Sequence, residues 1–96
     1  MAIETKPFDA AEYLDTDEAI TAYLEDAFSD GDPAFIAKAL GTVARARGMS
    51  KVAKAAGVTR EALYASLSDA GNPTLATLVA ATRALGYELT VKPISH

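Results

Sequence analysis

Apolar positions recur at helical spacing over most of this chain and alternate with polar ones only near its end. Ile20, Tyr23, Leu24, Ala27 and Phe28 fall on one helical face, with Glu18, Thr21 and Glu25 opposite, which predicts an amphipathic helix ending near Ser29. Asp15 and Glu18 have the spacing of a capping box at its start. Asp32 followed by Pro33 predicts the cap and first residue of a second helix, running to about Arg47 and stopping at Gly48. Its buried stripe is Phe35, Ile36, Ala39, Leu40, Val43 and Ala44. Gly41 costs up to ~1 kcal/mol in a helix interior, so it predicts a close helix contact. Further on, Thr74 caps a helix whose Leu75, Leu78, Val79, Thr82 and Leu85 face the core, and Gly86 ends it. Tyr87, Leu89 and Val91 then alternate with Glu88, Thr90 and Lys92, the period of a strand. At the other end, Met1 to Pro7 reads as a loose arm. Asp9 caps a short turn through Leu14, with Phe8 and Leu14 available to pack.

Between these elements lies MSKVAKAAGVTREALYASLS, residues 49 to 68, which reads as two short helices meeting at Gly57. Val52 and Ala53 give the first an inward edge, and Ala55 and Ala56 keep side chains small for a close approach. Gly57 supplies the positive φ of a helix end, Val58 plugs the corner and Thr59 caps the next turn. Leu63 and Leu67, four residues apart, face inward. Two helices joined by a short glycine turn make a helix-turn-helix, whose second helix presents its first residues to base edges. Thr59, Arg60, Glu61 and Tyr64 are then the outward candidates. An ordinary helical hairpin in a small all-α domain has the same pattern.

Charge favours the first of these. The whole chain of 96 residues has net charge −4, a poor match to nucleic acid until it is divided. Ten of thirteen acids precede Pro33, whereas Lys38, Arg45, Arg47, Lys51, Lys54 and Arg60 run without an acid between them. Phosphate binding depends on such a local patch rather than on the overall balance. Lys54 is the candidate for a contact to phosphate that is indifferent to sequence. The chain has no cysteine and its one histidine is the last residue, which excludes thiol chemistry, zinc thiolate sites and histidine-assisted nucleophiles. We expect no enzyme, no metal and no cofactor. No apolar run reaches the ~18 residues of a membrane span, so a cytoplasmic protein is expected.

A strand without a second strand in its own chain has unpaired backbone groups. Pairing of Tyr87, Leu89 and Val91 across a two-fold axis would satisfy them and give a homodimer suited to a palindromic site. The organisation expected is one compact domain with an acidic helical segment (1–31), a helix-turn-helix core (32–86) and a C-terminal strand and tail (87–96).

KPFDAAEYLDTDEAITAYLEDAF, DGDPAFIAKALGTVARARGMS and GVTREALYASLSDAGNP together resemble the addiction-module antidote family, a HigA-like branch of the phage-repressor and Cro-like helix-turn-helix proteins. The likeness covers about residues 5 to 92. It implies an all-α, five-helix, lambda-repressor-like domain with an added N-terminal helical segment. Members are taken to be antitoxins encoded beside a RelE/ParE-like toxin, which they bind and with which they repress their shared promoter on double-stranded operator DNA. By position, the resemblance puts Thr59, Arg60, Glu61 and Tyr64 where bases are read, and Ser50, Lys51 and Asn72 near phosphates. A stand-alone phage-type repressor, or an interaction module without DNA binding, would share much of this pattern.

Overall fold

The computed structural model describes residues 10–68 and 72–95. The loose arm, the packing of Phe8, the cap by Asp9 and residues 69–71 of the DAGNP loop lie outside the described residues. Five α-helices occur among those described: α1 (Asp17–Asp30), α2 (Pro33–Arg47), α3 (Met49–Ala56), α4 (Arg60–Ser66) and α5 (Leu75–Ala84), preceded by a 3-10 turn at Ala10–Tyr13. The five helices expected are present; among the described residues four of them lie within 32–86, and α1 precedes them.

Residue chemistry sets most of the helix ends. At α1 the cap is Thr16, whose Oγ1 accepts the Ala19 N–H at 3.1 Å. The capping box from Asp15 to Glu18 does not form, because Thr16 occupies the extended capping position and Asp15 falls one residue outside it. Asp17 and Glu18 instead sit in the first turn, where carboxylates suit the positive end of the helix dipole. Asp32 caps α2 as the Asp-Pro pair predicts, its Oδ1 accepting the Ala34 N–H at 3.2 Å.

α2 is the central helix. It meets α1 and the 3-10 turn at one side and α3 and α5 at others, so Ala39 to Ala44 are all buried. Thr42 tolerates that burial because its hydroxyl donates to the Lys38 carbonyl at 3.0 Å. From α1, Ile20, Leu24 and Ala27 enter the same core, joined by Leu14 ahead of it. Fully burying one such leucine or isoleucine contributes about 1.5–3 kcal/mol, so α1 is an integral part of the fold.

α3 contributes Met49, Val52 and Ala53 to the core and packs chiefly on α5. Ala53 is buried, while Ala55 is exposed and Ala56 half-buried, so Ala55, expected to serve a close approach, faces outward. In α5 the stripe is Ala81 and Thr82, flanked by half-buried Leu78, Val79 and Leu85. Leu75 does not face the core; it is 72% exposed. It sits in the first turn, roughly 70° round the helix from the centre of that stripe.

α5 ends in a Schellman motif. Gly86 has φ +92°, its N–H donates to the Arg83 carbonyl, and the Tyr87 N–H donates back to the Thr82 carbonyl at 3.0 Å. The Tyr87 hydroxyl then meets Thr21 Oγ1 at 2.5 Å, fastening the chain to α1. Beyond it the expected strand is absent; no strand occurs among the described residues. A strand needs a pairing partner, and the described residues offer none. The alternation survives only as half-buried Tyr87 and Leu89 against exposed Glu88 and Thr90, and Val91 is 94% exposed.

Candidate nucleic-acid interface

The link between α3 and α4 is built by backbone rules. Gly57 takes the left-handed conformation (φ 75°, ψ 26°), the Gly57 N–H donates to the Lys54 carbonyl, and the Val58 N–H reaches back to the Ala53 carbonyl at 3.0 Å. That fold-back turns Val58 inward, where it packs on the core as the corner plug. Thr59 follows in extended conformation and its Oγ1 accepts the Ala62 N–H at 3.0 Å, which starts α4.

α4 is then seated from below. Leu63 and Leu67 are fully or almost fully buried, as their spacing predicts. At Gly41 the backbone of α2 comes so close to the Leu67 carbonyl that any Cβ there would overlap its oxygen and lie 3.3 Å from its carbon. The close contact foreseen at Gly41 is thus with the C-terminal end of α4. With its apolar side fixed this way, α4 turns Arg60, Glu61 and Tyr64 outward, and Tyr64 is 56% exposed. Ser50, Lys51 and Lys54 of α3 are exposed, as is Asn72 in the connection to α5. Thr59 is exposed too, but its oxygen already serves as the cap, leaving the hydroxyl hydrogen as what it can offer a ligand.

Two cations outside the expected set belong beside these. Lys38 and Arg45, on one face of α2, line a groove of about 470 Å³ whose other walls are Gly41, Met49, Tyr64, Leu67 and Ser68. The acid-free basic run contained both, and their seven-residue spacing on a helix was the signal that they share a face. Arg47, from the same run, turns the other way and forms an ion pair with Asp17 at the start of α1. The acidic and basic parts of the chain meet there. Of the three expected interface residues at the C-terminus, Tyr87 is committed within its own chain, Leu89 is half-buried and Val91 is open.

Fold and surface together define a small all-helical domain that presents a short, firmly seated helix among cations. The chain belongs to the addiction module antidote family: a family model described as "probable addiction module antidote protein" matches residues 4–93. It is also similar to an uncharacterized protein of Haemophilus influenzae (strain Rd), 42% identical over 92 residues that cover 96% of this chain and 95% of the relative. No solved structure matches it. Membership supports an antitoxin role and, in general terms, a toxin as partner. No helix among the described residues is long and apolar enough to cross a membrane.

Proposed function

We propose that this chain is a cytoplasmic, DNA-binding antitoxin that neutralises a RelE/ParE-like toxin and represses its own operon as a homodimer. The observation that carries the DNA half is the seating of α4: Thr59 caps it, Leu63, Leu67 and Gly41 hold it, and Arg60, Glu61 and Tyr64 remain outward beside Ser50, Lys51 and Lys54. In such a unit the second helix enters the major groove and the flanking cations hold the phosphates. Asn72, at the far end of the loop after α4, is a further phosphate contact. A two-fold pair of such units, joined through the open segment after Tyr87, reads two half-sites.

The toxin half rests on α1. Glu18, Glu25, Asp26 and Asp30 are exposed on it, while its apolar side is committed to α2. A basic toxin is attracted and oriented by such a face. Deleting α1 is a poor test, because Ile20, Leu24 and Ala27 would leave the core with it. Replacing Glu18, Glu25, Asp26 and Asp30 with Gln or Asn keeps the helix and removes the charge. The product of the neighbouring gene is expected to copurify with the unaltered chain and at least tenfold more weakly with the neutralised one. Undiminished binding would place the toxin elsewhere on the molecule, and the absence of any toxin-like neighbour would favour a stand-alone repressor.

A further inference from the structure

The groove between α2 and α4 adjoins the proposed reading face and shares Tyr64 with it. Lys38 and Arg45 come from α2, Tyr64 and Ser68 from α4 and the residues just after it, and no acid is among the lining residues that the structure describes. Gly41 and Leu67, in backbone contact, close its floor, so the two helices cannot separate there without undoing the seat of α4. Tyr64 stands one helical turn beyond Arg60 on the same side of α4, which makes the groove continuous with the reading face. Two cations, a phenol and a hydroxyl around an opening of about 470 Å³ are donors for an anion with several oxygens.

We propose that Lys38, Arg45 and Tyr64 form a seat for a phosphodiester of the DNA backbone, placed beside the bases that α4 reads. This rests on the DNA-binding reading above and adds α2 to it. Both cations also have partners within the chain, so the arriving phosphate shares or replaces an existing contact. The seat acts on all sequences alike, since a phosphate carries no base identity. Its part is to fix where α4 stands along the groove.

The test is the salt dependence of duplex binding by the full chain, measured by anisotropy of a labelled duplex between about 50 and 200 mM KCl. Each phosphate contact contributes about 0.9 to the slope of log affinity against log salt. Lys38→Ala and Arg45→Ala are each expected to reduce the slope, together by about 0.9 for each seat, and to lower affinity equally for the operator and a scrambled duplex. Tyr64→Phe is expected to weaken binding severalfold with the slope unchanged. Arg83→Ala removes the same charge on α5, outside the groove, and is expected to leave the slope as it was. If Lys54→Ala lowers the slope while Lys38→Ala and Arg45→Ala do not, the seat is overturned and the DNA-binding reading stands. If the unaltered chain binds no duplex at any salt concentration, both fall together. An equal change with Arg83→Ala would also overturn the seat, because total charge alone would then account for the result.

Discussion

Replacing Gly41 with alanine tests how α4 is held. In most helix interiors this substitution stabilises by up to ~1 kcal/mol, since alanine is the better helix former. Here the added methyl would penetrate the carbonyl oxygen of Leu67 by about 1 Å and press on its carbon and Cβ, each at 3.3 Å. The obstacle is backbone, which cannot rotate aside as a side chain would. Leu67 is itself buried and ends α4, so α4 has to shift as a unit. Overpacking of this kind costs about 1–3 kcal/mol, against which the propensity gain is the smaller figure. The expected outcome is a net loss of about 1–2 kcal/mol, read as a lower urea midpoint with unchanged slope, and a fall of roughly 5–15 °C in Tm for a domain of this size. Operator binding should weaken further than the stability loss explains, because the reading helix has moved. A Gly41→Ala protein as stable as the original, with full DNA affinity, would refute the reasoning.

Thr59→Ala removes the cap of α4 and is expected to cost about 1 kcal/mol in urea denaturation, with Thr59→Ser recovering most of it. Tyr87→Phe loses the hydroxyl contact to Thr21 and should cost about 0.5–1.5 kcal/mol while leaving the helix content seen by circular dichroism intact. Ending the chain at Glu88 keeps Tyr87 and its Schellman turn but removes the open segment. Sedimentation should then show a folded monomer, whereas a persisting dimer would put the interface on the helices.

Where a local chemical signal existed, the sequence was legible. Asp32-Pro33, Gly48, Gly57, Thr59 and Thr74 mark helix ends because cap and glycine chemistry act within a few residues, and the structure has its ends there. Inward positions on α4 followed from a four-residue spacing. What the sequence concealed depended on neighbours. Whether Leu75 is covered is decided by where α2 and α3 lie, and whether 87–92 forms a strand is decided by the existence of a second strand. Thr16 took the cap from Asp15 because both residue types suit the position and only the backbone angle chose between them. Of the candidate site, the outward set on α3 and α4 was readable from spacing. Lys38 and Arg45 were visible as charges, but their approach to Tyr64 needed the crossing of α2 and α4, which Gly41 permits.

The most direct measurement is a gel-shift titration of the full chain on the DNA upstream of its own gene, against a scrambled duplex, with Arg60→Ala in parallel. Arg60 is exposed at the first turn of α4, and a guanidinium can bond a guanine edge through two donors. The account predicts tight binding to the upstream DNA, a loss of about 1–3 kcal/mol with Arg60→Ala, relaxed preference at one base position, and little change on the scrambled duplex. Equal losses on both duplexes, or no preference for the upstream DNA by the unaltered chain, would contradict it.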